Sequence, residues 1–109
     1  MAKYIVFIYV DEAQMGGAGA DVIQSIVEGH QKFAEKHGAS LRGGGRLAPG
    51  AQAVSLRYDS GRQPAPFLTD AVHRVGGYYV IEAADMDEAA SIASDVPANF
   101  GGLEVRELV

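Results

Sequence analysis

Apolar residues fall into three patterns along this chain, and each predicts a different element. Tyr4-Ile5-Val6-Phe7-Ile8-Tyr9-Val10 and Gly77-Tyr78-Tyr79-Val80-Ile81-Glu82-Ala83 are β-branched and aromatic runs that do not alternate with polar residues. Such side chains pack well on a pleated surface, and a strand apolar on both faces needs cover on both. Ala53 to Tyr58 and Leu103 to Leu108 do alternate. The first places Val54, Leu56 and Tyr58 on its apolar side, and the second reads as an exposed edge strand. Between Asp21 and His37 the period becomes helical. Val22, Ile23, Ile26, Val27, His30, Phe33 and Ala34 form one stripe, with Gln24, Glu28, Lys32, Glu35 and Lys36 largely off it. The predicted helix opens on an Asp21 cap with Gln24 returning the bond, and Gly38 stops it in the left-handed region. A second predicted helix opens at Asp85 with acids in its first turn, where the dipole favours them. It turns Ala89, Ala90, Ile92, Ala93 and Val96 inward and ends at Pro97.

The connections are as telling. Met15 to Ala20 is a flexible loop by its glycine content, and Ser40 to Leu47, with Gly43-Gly44-Gly45, reads as a bent or bulged strand. Pro49-Gly50 and Asp59-Ser60-Gly61 are turns. From Arg62 to about Val75, with Pro64 and Pro66 two apart, a long irregular surface loop is expected, the kind of segment where function concentrates. The order β-α-β-β-loop-β-α-β predicts an α+β fold over 1–109 as a single domain. It is a ferredoxin-like split βαβ sheet with an extra hairpin strand and two helices on one face. Two helices leave the second apolar face open, a patch larger than monomers tolerate. A second copy packing sheet to sheet about a two-fold axis closes it; a different partner on that face is the alternative.

Composition narrows the partners. At 109 residues there is room for one core. The net charge is -5, and the nine Lys and Arg are scattered from Lys3 to Arg106, so no basic stripe exists for nucleic acid or for an anionic membrane. Cysteine is absent, which removes disulfides, thiolate nucleophiles and Cys-based zinc sites and fits a reducing compartment. Met1-Ala2-Lys3 leads straight into a strand without a signal peptide's cleavage region. No apolar stretch approaches the roughly 20 residues that span a bilayer. A cytoplasmic protein is expected.

Few residues offer chemistry. Gly16-Gly17 and Gly43-Gly44-Gly45 are not phosphate loops, since neither precedes Lys-Ser/Thr or sits at dinucleotide spacing. There is no Gly-x-Ser-x-Gly elbow. Three separated histidines without a paired carboxylate motif argue against a metal, and no cofactor is expected. His30 stands out, because it lies on the apolar stripe of the first helix where that helix faces the sheet. It is either a pocket-lining histidine bonded to a carbonyl or a tyrosine hydroxyl, or a general base or acid. In the second case Asp70 or Glu82 would orient it. His73 lies three residues after Asp70 in the long loop, and His37 complements the dipole at the helix end. Tyr9, Tyr58, Tyr78 and Tyr79 are spread over the strands as core or interface aromatics whose hydroxyls can line a ligand pocket.

Gly76-Gly77-Tyr78-Tyr79-Val80-Ile81-Glu82, then Asp85 to Ala93 and Val96-Pro97, resembles the C-terminal half of YCII-related proteins of the DGPF type. Lys3 to Val6, His30 to Phe33, Leu41 to Leu47 and Gly101 to Arg106 fit the same family. The resemblance implies a dimeric α+β barrel, links to small-molecule and aromatic-compound metabolism, and a catalytic His-Asp pair, here His30 with Asp70. This chain departs from the signature Asp-Gly-Pro-Phe. Counting back from Gly76 puts Ala65, Pro66 and Phe67 at its first three positions, so Pro66-Phe67 is a remnant only after a one-residue shift. Asp70 stands in for the acid if the loop is shortened, or else matches a downstream Glu. The resemblance implies little about reaction, and the expectation is a YCII-related small-molecule-binding protein working as a cofactor-free acid-base enzyme of lyase, isomerase or cyclase type. The alternative is a non-catalytic ligand-binding or regulatory homodimer. Tyr9, Tyr58, Phe67, His73 and Tyr79 are the expected ligand contacts.

Overall fold

The two non-alternating runs become the two central strands of one sheet. In the computed structural model, which describes residues 1–67 and 72–109, the chain runs β1 (Ala2–Asp11), α1 (Glu12–Gly16), α2 (Ala20–His37), β2 (Leu41–Arg46), β3 (Val54–Arg57), β4 (Gly61–Pro64), β5 (His73–Ala83), α3 (Met86–Ala93) and β6 (Gly101–Leu108). The main sheet has the order β2-β5-β1-β6, antiparallel throughout. This is an α+β, ferredoxin-like fold. β2 enters with a bulge between Leu41 and Gly43, as its glycines predict.

Register decides which residues share a face. Tyr4 pairs with Ile81 and Val6 with Tyr79, while Val6 and Ile8 meet Val105 and Leu103 across β6. This row packs under α2 and α3, where Tyr4, Val6, Phe33, Ile81, Ala83, Ala89, Ile92, Ala93 and Val96 form the buried core. The alternate row, with Ile5 opposite Val80 and Phe7 opposite Tyr78, lies away from both helices and is only half-buried. The molecule is therefore thin, 41 × 38 × 18 Å with a radius of gyration of 15.1 Å, against about 13 Å for a compact chain of this length. One sheet and one helix layer, at roughly 10 Å each, account for the short dimension.

Several local expectations need correction. Asp21 does not cap α2; Gly19 does, without a side-chain bond. The predicted loop from Met15 is shortened by α1, whose cap is Asp11, accepting from the Ala13 and Gln14 N–H groups at 3.1 Å. That places Asp21 inside the first turn of α2, where its charge still meets the dipole. Gly38 is right-handed, with φ −55°, and the chain leaves α2 through turns closed by Ser40 N–H to His37 O and Leu41 N–H to Gly38 O. Ala90 is exposed, because α3 spans only Met86–Ala93 and buries Ala89, Ile92 and Ala93.

The predicted 62–75 loop is shorter than expected. β4 pairs with β3 in a separate two-stranded sheet, turning at Gly61 with φ 72°, and β5 already begins at His73. In that hairpin the expected burial is reversed. Leu56 is 76% exposed and Tyr58 fully so, while Ser55 on the other side is buried. Alternation defines which residues share a face and leaves open which face meets the core.

Candidate functional site

A cavity of about 730 Å³ lies between α2, β1 and the β5–β2 end of the sheet, within the size range of small-molecule sites. Helical spacing brings Ile23, Ile26, Val27 and His30 of α2 to its wall, facing Ile8, Val75 and Tyr79 from the strands, and Phe100 closes one side. His30 Nδ1 is 2.7 Å from Tyr79 Oη. The Tyr79 ring is held on its other side by Phe33, with centroids 4.7 Å apart. On the strand side the Tyr79 ring lies against Gly44, its register partner in β2. A Cβ placed on Gly44 would stand 2.8 Å from Tyr79 Cδ1, so only a residue without a side chain lets the ring lie there.

Burial governs the electrostatics of the pair. Desolvation lowers the His30 pKa and raises that of Tyr79, since in both cases the charged form loses water. Near pH 7 the site therefore holds a neutral imidazole and a neutral phenol. Two tautomers satisfy the contact. With Nδ1 protonated, Nδ1–H donates to Tyr79 Oη and Nε2 offers a lone pair. With Nε2 protonated, the tyrosyl O–H donates to Nδ1 and Nε2–H is a donor. Nε2 itself has no hydrogen-bond partner among the described residues.

The YCII-related domain matches residues 2–109. The chain belongs to the YCII-related family. No curated protein matches it.

For His30 the sequence of this YCII-related chain left two kinds of partner open, a carbonyl or tyrosine hydroxyl on one side and an orienting acid on the other, and the structure places the Tyr79 phenol there. Asp70 lies outside the described residues, and with it the His30–Asp70 and Asp70–His73 pairings. Glu82, the other acid considered, is engaged by Arg42 Nη2 at 2.7 Å and alternates with Ile81 and Ala83 away from the core. Tyr9 lines the main cavity and also a second one of about 460 Å³, which Phe67 and His73 border as well. Phe67 sits under the Arg57 guanidinium, 4.5 Å from the ring centroid, while Arg57 Nη2 donates to the Phe67 carbonyl at 2.8 Å. Tyr58 lines neither cavity. His37 does more than meet the dipole: its Nε2 lies 2.7 Å from Asp95 Oδ2, which Lys36 Nζ also reaches at 2.9 Å. That cluster ties the end of α2 to the end of α3. Among the described residues, no group of three or more His, Cys, Asp or Glu could hold a metal ion.

Sequence reasoning missed two residues of the main cavity and one that lies behind the Tyr79 ring in its wall. Glu12 enters through α1 and accepts the Gly50 N–H at 3.0 Å with both carboxylate oxygens. Arg46, at the end of β2, lines the cavity, and its side chain forms no hydrogen bond or ion pair among the described residues. Gly44 shapes the wall by what it lacks. Charge in the first two cases and a glycine run in the third were visible, but their direction is set by strand register.

Proposed function

We propose that this YCII-related protein binds a small organic molecule in the cavity beside α2 and moves a proton on it without a cofactor, in lyase, isomerase or cyclase fashion. The observation that carries this reading is the 2.7 Å His30–Tyr79 contact at the cavity wall, with Nε2 left open. Nδ1–H donates to Tyr79 Oη, which orients the ring. Nε2 takes a proton from a substrate carbon or hydroxyl, and the resulting imidazolium keeps its Nδ1–H bond to the tyrosine oxygen. The same Nε2–H then returns the proton to another atom of the substrate, so the enzyme ends as it began. The lowered His30 pKa keeps the base form populated at neutral pH. Phenolic and carbonyl compounds suit such a wall, where an imidazole–phenol pair stands among aliphatic side chains.

Two further parts belong to this reading. A second copy covers the open sheet face of Ile5, Phe7, Tyr78 and Val80, supported by the thin, one-sheet-one-layer shape. Residence is cytoplasmic, supported by the absence of cysteine and of any described helix long and apolar enough to cross a membrane.

Exchange of carbon-bound protons in D2O, followed by NMR over a panel of phenols, lactones and β-keto acids, tests the chemistry. Exchange catalysed by the native protein should fall roughly 100-fold or more in His30→Gln. Exchange unaffected by that change, with the protein folded, rejects the reading. Ligand binding without exchange leaves a binding or regulatory protein in its place.

A further inference from the structure

The cavity wall carries a cation that is not paired with the carboxylate in the same lining. Arg46 lies opposite Gly77 in the β2–β5 register, two positions along from the Gly44–Tyr79 pair. Side chains alternate across a strand, so Arg46 shares the sheet face on which the Tyr79 ring and His30 meet. It is the one cation lining the cavity among the described residues. Among the described residues its guanidinium has no hydrogen-bond or ion-pair partner. The one carboxylate in the same lining, Glu12, has both oxygens on the Gly50 N–H, and His30 is held neutral by desolvation. The rest of the wall is mostly aliphatic and aromatic, with Ile23, Ile26, Val27 and Phe100 prominent.

We propose that the ligand is a largely apolar carboxylate, its anion held by the fork of Arg46 and its body lying along the α2 wall toward His30. This rests on the reading that the cavity beside α2 is the ligand site. A planar guanidinium matches a carboxylate through two parallel N–H···O bonds. A dianionic phosphate ester would bring a second negative charge to a lining that already holds the Glu12 carboxylate. A neutral ligand would leave the exposed guanidinium to water and gain nothing from it. The arrangement separates anchoring from chemistry: Arg46 on β2 holds one end, and His30 on α2 meets an acidic C–H or O–H at the other.

The probes are 2-naphthoate and its uncharged counterpart 2-naphthamide, with dissociation constants measured by NMR titration of the full chain. Naphthoate is expected to bind at least about 10-fold more tightly than naphthamide, the worth of one charge-assisted pair. In Arg46→Gln that preference should disappear while the amide binds as before, and Arg46→Lys should recover part of it. The Arg46 side chain has no hydrogen-bond or ion-pair partner among the described residues, so Arg46→Gln should leave the thermal melt unchanged and report binding alone. Equal affinity for the two probes, undiminished naphthoate binding in Arg46→Gln, or no saturation by either probe overturns the proposal. The His30 imidazole resonances separate it from the proton-transfer reading. Arg46-dependent naphthoate binding that leaves them unmoved keeps the anion site and removes His30 from the ligand's reach. His30 signals that shift equally with both probes keep the histidine in the site and remove the anion preference.

Discussion

Substituting Gly44 by alanine should uncouple Tyr79 from His30. The new Cβ would stand 2.8 Å from Tyr79 Cδ1 and 2.9 Å from the Tyr78 carbonyl oxygen. Ordinary carbon contacts begin at roughly 3.5 Å, so the ring must retreat by about 0.7 Å or the edge strand must lift by as much. The carbonyl belongs to the central strand and cannot give. On the far side of the ring, Phe33 is fully packed, so the retreat meets resistance there as well. Overpacking of this kind costs about 1–3 kcal/mol, offset by up to about 1 kcal/mol from the reduced freedom of alanine in the unfolded chain. A net loss of about 1–2 kcal/mol lowers the melting temperature of a domain this size by roughly 5–10 °C. A shift of that size also stretches the 2.7 Å His30–Tyr79 contact into the range where hydrogen bonds weaken steeply. Thermal melts measured together with the His30 imidazole 15N shifts read both effects. Gly43→Ala is the control, since a Cβ there meets nothing closer than Val80 Cβ at 3.9 Å. A Gly44→Ala protein that melts with the native one and keeps its His30 shifts would refute the cradle.

Three more outcomes follow from the same structure. Replacing Val80 on the open sheet face with glutamate should turn a dimer into monomers or insoluble protein, because it buries an unpaired charge at a cost of several kcal/mol; native protein sedimenting at 11.5 kDa would sink the sheet-to-sheet dimer. His30 has a lowered pKa, so below about pH 6.5 the unfolded chain binds the proton first and stability falls as pH falls from there; His30→Gln should flatten the melting temperature in that window, and an unchanged slope would contradict the burial argument. Asp95 is held below the usual carboxylate range, first by the hydrogen bond from His37 and then by that from Lys36. Its contribution is present above about pH 4 and lost as pH drops through the folded value, so Asp95→Asn should shrink the acid-limb loss in a pH series of melts and leave the limb near pH 6 intact.

The His30–Tyr79 pair shows why the site was only half legible beforehand. The helical stripe from Ile26 to Phe33 placed His30 toward the sheet, since a period of 3.6 residues assigns one face without knowledge of what it meets. Tyr79 was one of several strand tyrosines until the β1–β5 and β2–β5 registers put it on the helix side, beside α2 and over a glycine. Gly44 has no side chain to read at all, and its role exists only relative to a strand more than thirty residues away.

Local pattern determined the elements and their order: two strands apolar on both faces, one long amphipathic helix, a second helix capped by Asp85, and a bulged glycine strand. These follow from interactions within a few residues, which the sequence carries directly. Tertiary structure decided the rest. It extended the Val54-Leu56-Tyr58 segment into a hairpin whose apolar row points outward, replaced the Asp21 cap by Gly19 behind an unforeseen α1, and brought Glu12, Arg46 and Tyr79 to the cavity. Those choices depend on pairing between distant segments, where shifting a strand by one residue exchanges its two faces, and no local periodicity encodes that shift.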